Sequence, residues 1–120
     1  QGFLKSKEHR FVMLKDRLWR ALRIIIDVKT QTGKLSYGEA ADLMVRELHF
    51  PREQACGDLN WYSLSPSAPM GYALGWSIIN RLRDQEQKRL GGKFSLCEFH
   101  DKLLSAGSIS LPLVEKRYFS

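Results

Sequence analysis

The sequence predicts an all-α protein, an irregular bundle of five or six helices within a single domain of residues 1–120. Apolar residues recur at spacings of three and four along most of the chain, which is the period of an amphipathic helix. No stretch alternates with period two for long, and no Asn-Gly or Asp-Gly turn suggests a β-hairpin. Capping signals before the apolar runs, and glycine or proline after them, indicate where each helix begins and ends.

The first helix is predicted over residues 3 to about 30, and it is apolar almost all round in its second half. One polar line crosses it. The four residues of this line are spaced by four, three and four positions, so their side chains lie on one stripe of the helix. This spacing puts Asp16–Arg20 and Arg23–Asp27 at ion-pairing distance. Such a line must face water, pair internally or border a polar cavity. A paired surface ladder is the simpler interpretation, and a binding site is the alternative. The line consists of Asp16, Arg20, Arg23 and Asp27.

A capping box and a proline predict the next two helices. Ser36 and Glu39 have the spacing at which serine oxygen and glutamate carboxylate each satisfy a free N–H, so a helix is predicted over Tyr37–Leu48. Pro51 suits the first turn of a third, shorter helix that reaches about Trp61.

A fourth helix is predicted over residues 65–90, with prolines in its first turn and a double glycine after its end. Gly71 and Gly75 lie one turn apart near its start, where each costs about 0.8–1 kcal/mol relative to alanine. That cost indicates that another backbone comes close or that something reaches the side of the helix. Tyr72 lies between the two glycines. A packed tyrosine with a satisfied hydroxyl is the simpler interpretation, and a chemical role is the alternative.

The last part of the chain predicts two shorter helices. Ser95 and Glu98 repeat the capping-box spacing, so a fifth helix is expected over Leu96–Ser105. The stretch LPLVEKRYF, with Pro112 in its first turn, predicts a short final helix.

Composition limits the classes of function. Nineteen basic and thirteen acidic residues give a net charge of +6, but the two signs are interleaved along the chain. A solvated basic surface is therefore expected, and nucleic-acid binding ranks last among the functions considered. No apolar run approaches the ~20 residues that cross a bilayer, so a membrane span is not expected. Cys56 and Cys97 are far apart and form no CxxC motif, so they are expected to be free thiols and do not indicate an oxidising compartment. The expected compartment is the cytoplasm. The chain begins without methionine, which leaves an upstream targeting segment open.

No complete catalytic motif is present in the sequence. His9, His49 and His100 have no partner at HExxH spacing, and no GxSxG, P-loop or GxGxxG occurs. No metal site is therefore predicted from these residues. Uncovered apolar faces on the first helix make a homodimer of this chain plausible.

Three blocks of the sequence together resemble a known family. They read RALRIIIDVKTQTGKLSYGEAADLM, WYSLSPSAPMGYALGWSIINRLR and GGKFSLCEFHDKLLSAGSISLPLVE. Their order and spacing are similar to the carboxy-terminal part of a bacterial family catalogued as domain of unknown function family 885, over residues 17 to 117.

The resemblance implies a longer, largely helical parent protein that is similar to zinc metallopeptidases with an HExxH helix. In that motif two histidines hold Zn²⁺ and the glutamate acts as general base. The zinc ligands would lie upstream, so the chain would form one wall of the active-site cleft and be inactive alone. The implied partners are the upstream part of its own parent chain and a peptide substrate.

Residue by residue, the resemblance implies three roles. Arg23 and Asp27 would match an arginine and an aspartate on one helix of the family and would bind substrate, with Arg23 binding a carboxylate or holding Asp27 in position. Tyr72 matches the tyrosine of an SP..P..Y..G block and would donate to the oxyanion of the attacked carbonyl. Two departures bear on activity: Gln31 stands where the family commonly has histidine, and Trp61 stands where it commonly has arginine.

The alternative function from a different class is a pseudo-enzyme, a non-catalytic helical module that binds a peptide or a partner helix without cleaving it. An HExxH motif in the upstream sequence would favour the enzyme, and its absence there would favour the module.

Overall fold

The computed structural model describes residues 5–119, and among these residues it contains six α-helices and no strand. The all-α prediction is therefore confirmed. A 3₁₀ turn follows the fourth helix, and a π-helical turn follows the sixth. None of the described helices has both the length and the apolar character needed to span a membrane. The helices are α1 (Lys7–Gln31), α2 (Tyr37–Leu48), α3 (Arg52–Leu64), α4 (Gly71–Leu90), α5 (Leu96–Ser105) and α6 (Leu111–Val114).

Helices α2 and α5 have the predicted bounds because their caps are local. In α2 the Ser36 hydroxyl accepts from the N–H of Glu39, and the Glu39 carboxylate accepts from the N–H of Ser36 at 2.8 Å. In α5 the Ser95 hydroxyl accepts from the N–H of Glu98 at 3.3 Å. Each cap satisfies N–H groups that the first helical turn leaves unpaired.

The start of α4 differs from the prediction, since residues 65–70 form a turn and the helix begins at Gly71. Ser67 adopts a left-handed conformation (φ 67°), which a helix cannot contain. The N–H of Ser67 donates to the Asp27 carboxylate at 2.9 Å, so a residue of α1 holds this turn. The prolines that suited a first helical turn therefore belong to the connection between α3 and α4.

Contacts divide the chain into two compact units, Gln1–Ala73 and Leu74–Ser120. Whether they form one folding domain is not decided by this division, so the single-domain prediction stays a prediction. In the first unit, α1, α2 and α3 enclose an apolar core. Its buried members are Leu22, Ile26, Ala40, Ala41, Met44, Leu48, Phe50, Ala55, Leu59 and Tyr62.

Helix α1 is less buried than its sequence suggested. In the second half of α1, Ile25 is 47% exposed and Val28 is 46% exposed, whereas Leu22 and Ile26 are buried. The apolar character of this half predicts a helix buried on most sides, and that prediction was wrong, because α1 packs against α2 and α3 through one face. The first residues of the predicted helix lie outside the described part.

In the second unit, Phe99 is buried and lies close to Phe94 and Phe119, with ring centroids 6.3 and 5.4 Å away. Glu86 is also buried and accepts two hydrogen bonds from Arg89, at 2.8 and 2.7 Å. These contacts join α4 to its own last turn and hold α5 against the carboxy-terminal residues. Both cysteines are free thiols, as predicted.

Candidate functional site

The candidate site is built around Arg23, whose side chain lies inside the first unit. Arg23 is 9% exposed, and its Nε donates to the hydroxyl of Tyr62 at 2.8 Å. Trp19, one turn earlier on α1, donates to the same hydroxyl at 3.2 Å. The Tyr62 hydroxyl thus accepts two hydrogen bonds, and α3 fixes the position of the arginine side chain.

Four aromatic rings surround the Arg23 guanidinium, and we call this group the aromatic cage. The guanidinium carbon lies 4.1 Å from the ring centroid of Trp19 and 5.2 Å from that of Tyr72. It lies 5.5 Å from the ring of Tyr62 and 5.9 Å from that of Trp61. Ring faces attract a cation, most strongly where water is excluded. The cage therefore offsets part of the cost of burying this charge.

Arg23 has no carboxylate partner within salt-bridge distance among residues 5–119. The predicted pairing of Arg23 with Asp27 was wrong, because Asp27 binds the turn at Ser67 and the Nε of Arg23 binds Tyr62. The other predicted pair is confirmed, with an Nη1 of Arg20 3.2 Å from the Asp16 carboxylate. The Nη nitrogens of Arg23 donate no hydrogen bond in the described part of the chain.

Asp27 lies one turn after Arg23 and is 1% exposed. One of its oxygens accepts from Ser67, while Oδ1 has no hydrogen-bond partner among the described residues. A buried acceptor without a donor carries a desolvation cost of roughly 1–3 kcal/mol. Asp27 is therefore an anchor for the turn before α4 and retains one unused acceptor.

Asp58 on α3 is the carboxylate that interacts electrostatically with Arg23. Burial raises the pKa of Asp58, and the positive charge of Arg23 opposes this rise, as do the hydrogen-bonding groups of Tyr62 and Trp19. Its Oδ2 has no partner in the described structure. Burial also raises the pKa of Tyr62, which keeps its hydroxyl protonated.

Tyr72 forms the outer wall of the cage and is 53% exposed. Together with Trp61, Ala68 and Gly71 it lines an open pocket of about 380 Å³. A Cβ at Gly71 would meet no atom within 4 Å, so no backbone packs against that glycine. At Gly75 the nearest atom is a side-chain carbon of Leu111 at 3.8 Å. The sequence offered two explanations for these glycines, namely that another backbone comes close or that something reaches the side of the helix. The first explanation was wrong.

The structure places Arg23 and Tyr72 next to each other and Asp27 behind them, held by the turn at Ser67. Sequence reasoning missed the rest of the cage. Trp19 could have been noticed, because it stands four residues before Arg23 and shares its helix face. Tyr62 has the spacing of an apolar position of α3, three residues after Leu59, and no local pattern links it to Arg23.

Among residues 5–119, no three His, Cys, Asp or Glu side chains cluster so that they could hold a metal ion. Gln31 is engaged within the fold, since its side-chain amide donates a hydrogen bond from Nε2 to the Tyr62 carbonyl at 3.4 Å. The described residues therefore do not provide a set of ligands for zinc.

Fold and site together define an all-α protein with a buried arginine in an aromatic cage beside an open pocket. The family model described as "Bacterial protein of unknown function (DUF885)" matches residues 1–117, and the chain belongs to this family. No curated protein matches the chain. No solved structure matches it either.

Proposed function

We propose that this chain is the carboxy-terminal wall of the active-site cleft in a longer, zinc-metallopeptidase-like parent protein. The observation that supports this most is the position of Tyr72, an exposed tyrosine whose ring lies 5.2 Å from the buried Arg23 guanidinium and borders a pocket. A half-exposed tyrosine whose ring lies beside a cation can meet a substrate, which a tyrosine sealed in a dry core could not.

Each residue has a role in this proposal. Tyr72 donates a hydrogen bond to the oxyanion that forms when water attacks a peptide carbonyl. Arg23 binds an anionic group of the substrate. Asp27 is covered by the turn at Ser67, so it would meet a substrate N–H only through its unpartnered Oδ1. The zinc would be held by the upstream part of the parent, and no step here is assigned to metal held by this chain.

The upstream part of the parent is also the proposed partner of α1. Between α1 and the end of α2 lies a pocket of about 400 Å³, whose lining is largely apolar, and Phe11 and Leu18 on its wall are more than half exposed. Covering such a face removes apolar surface from water, which stabilises the assembly by roughly 25 cal/mol per Å².

The test is the change Tyr72→Phe in the full-length parent. Loading the parent with Zn²⁺ and incubating it with a pool of short peptides gives a turnover rate by mass spectrometry. Loss of one oxyanion donor should lower turnover by about 10²–10³-fold. Tyr118→Phe makes the same chemical change in the second unit and should leave turnover unaltered. Equal turnover of the Tyr72→Phe variant and the unchanged parent would end the oxyanion role.

A second function is a non-catalytic peptide-binding module. It is favoured by the fact that the cage and its pocket are formed entirely by residues of the first unit. The parent would then bind the same peptides without cleaving any of them, and its upstream sequence would lack an intact HExxH motif.

A further inference from the structure

The buried charge of Arg23 points to the chemistry of what the site binds. Arginine stays protonated at any physiological pH, and its planar fork presents five N–H donors. Only Nε is used internally, by the Tyr62 hydroxyl. The two Nη nitrogens keep four N–H donors for which the described residues provide no acceptor.

A largely buried cation without a salt bridge is costly, and Asp58, the carboxylate that interacts electrostatically with Arg23, forms no salt bridge with it. Ring faces compensate only in part. The arrangement therefore favours an anion supplied from outside these residues. A carboxylate matches the fork best, since two parallel N–H···O bonds form with one guanidinium edge.

The pocket next to the cage limits which carboxylate fits. Two of its lining residues, Trp61 and Tyr72, are also walls of the cage, so pocket and guanidinium share a border. Ala68 and Gly71 complete the lining, which is mainly apolar. A ligand that places a carboxylate on Arg23 would have an apolar group at the pocket only a few bonds away.

We infer that Arg23 and the adjoining pocket form a recognition site for the carboxy terminus of a peptide, with the terminal carboxylate on the Nη nitrogens of Arg23 and an apolar terminal side chain between Trp61 and Tyr72. This inference rests on the proposed peptide-binding function and names its substrate class. The Tyr62 hydroxyl positions the Arg23 side chain without contacting the peptide.

Equilibrium binding to the chain itself tests the inference without any turnover. The first probe is an N-acetylated tripeptide ending in phenylalanine with a free carboxylate, and the second is its carboxy-terminal amide. Trp19 and Trp61 line the cage, so tryptophan fluorescence reports occupancy. The free acid should bind about 10-fold or more tightly than the amide, because the amide cannot accept charge-assisted bonds from Arg23. Equal affinity of acid and amide, or no binding of either at millimolar concentration, would overturn the inference.

Two further probes identify the source of the carboxylate and the use of the pocket. An amidated tripeptide ending in glutamate carries its carboxylate only on a side chain, and it should bind no better than the amidated phenylalanine peptide. Binding equal to that of the free acid would refute the terminal assignment. A free acid ending in glycine should bind more weakly, because it leaves the pocket empty.

Variants separate the two halves of the site. Arg23→Gln should remove the preference for acid over amide. Because this change could also unfold the first unit, a second variant leaves the arginine intact. Gly71→Leu fills the pocket from an open position and should weaken acid and amide alike by about 10-fold while preserving their ratio. Gly57→Leu, at another open helical glycine of the same unit, is the matched control and should change neither affinity.

The full-length parent provides the remaining arm. If its own upstream segment places a carboxylate on Arg23, the parent will show no preference for acid over amide although this chain does, and the inference is then wrong. If the parent prefers the acid but cleaves no peptide, the inference stands and the enzymatic proposal fails. If the parent cleaves peptides but shows no preference for the acid, the enzymatic proposal stands and the inference is wrong.

Discussion

At the scale of single residues, the molecule stabilises a buried arginine with ring faces and one hydroxyl rather than with an ion pair. A cation over an aromatic ring gains ~0.5–2 kcal/mol, depending on its solvation. The ring of Trp19 is the nearest, at 4.1 Å, and four rings lie within 6 Å. This arrangement keeps the guanidinium rigid and leaves its outer nitrogens available, which is what a carboxylate-binding site requires.

Asp58 should make the stability of the first unit depend on pH. Its pKa is raised in the folded protein, chiefly by burial, from an ordinary value of 3.8. A group with a raised pKa contributes its full stability below that ordinary value and loses it as the pH rises through the folded pKa. We therefore expect Asp58→Asn to gain stability relative to the unchanged chain as the pH rises from 3 to 7. Solvent screening should keep the difference below about 1 kcal/mol.

Urea unfolding at several pH values measures this difference. The control is Glu86→Gln in the second unit, because the hydrogen bonds from Arg89 lower the pKa of Glu86. A carboxylate with a lowered pKa stabilises the folded protein above its ordinary pKa of 4.5, and this stabilisation is lost as the pH falls. The Glu86→Gln variant should therefore be less stable than the unchanged chain at pH 7, and the two should become similar in stability at acidic pH. Parallel pH profiles for Asp58→Asn and the unchanged chain would contradict the role of Asp58.

At the scale of elements, the turn before α4 determines where Tyr72 stands. Ser67 has a φ of 67°, and its N–H binds Asp27. Glycine adopts this conformation without the cost of about 1–2 kcal/mol that other L-residues carry, but it also loses more entropy on folding. We expect Ser67→Gly to be neutral or stabilising by up to about 1 kcal/mol, and Ser67→Pro to be destabilising by more than about 1 kcal/mol.

Thermal unfolding followed by circular dichroism tests the turn. Ser63→Gly, in the last turn of α3 and four residues earlier, is the matched control and should destabilise by up to about 0.5 kcal/mol, because glycine costs less in a last turn than in a helix interior. If Ser67→Gly destabilises as much as Ser63→Gly, the left-handed turn is not a source of strain. The Ser67→Pro variant should also lose affinity for peptides, since the turn leads directly into the residues of the pocket.

How far the sequence predicts this structure depends on the range of the interactions that fix each part. The bounds of α2 and α5 follow from caps between residues three apart, and the sequence shows them directly. The beginning of α4 depends on Asp27, forty positions before Ser67, and proline at the start of a stretch suits a turn as well as a first helical turn. A contact of that range leaves no local signal.

The candidate site shows the same division. Arg23, Asp27 and Tyr72 could be selected because of a polar line on an apolar helix and an unusual pair of glycines. The cage could not be predicted, because Trp61 and Tyr62 come from a different helix and read as ordinary apolar positions. The false prediction of an Arg23–Asp27 pair has the same origin: helical spacing makes two groups neighbours, but partners from other elements decide which bonds form.

At the scale of the whole molecule, the net charge of +6 comes from basic residues interleaved with acidic ones along the chain, not from one basic segment. Six arginines of the described residues lie in salt bridges with carboxylates, and charges further apart than about 8 Å are screened at physiological salt. The arginines are Arg20, Arg46, Arg52, Arg81, Arg83 and Arg89.

We therefore expect nucleic-acid binding weaker than the 10⁻⁴–10⁻⁶ M that is typical of non-specific binders at physiological salt. Filter binding with a salt titration measures it, with duplex DNA and single-stranded RNA as probes. Any retention at low salt should disappear as salt is added and should not differ between sequences, because it would come from dispersed surface charge alone. Arg52→Gln, which removes an exposed charge of the first unit, should reduce such retention no more than Arg83→Gln in the second. Micromolar binding that persists at 150 mM salt would contradict this expectation. It would require the fold to bring basic residues from separate segments into one surface, and nucleic acid would then be the proposed partner.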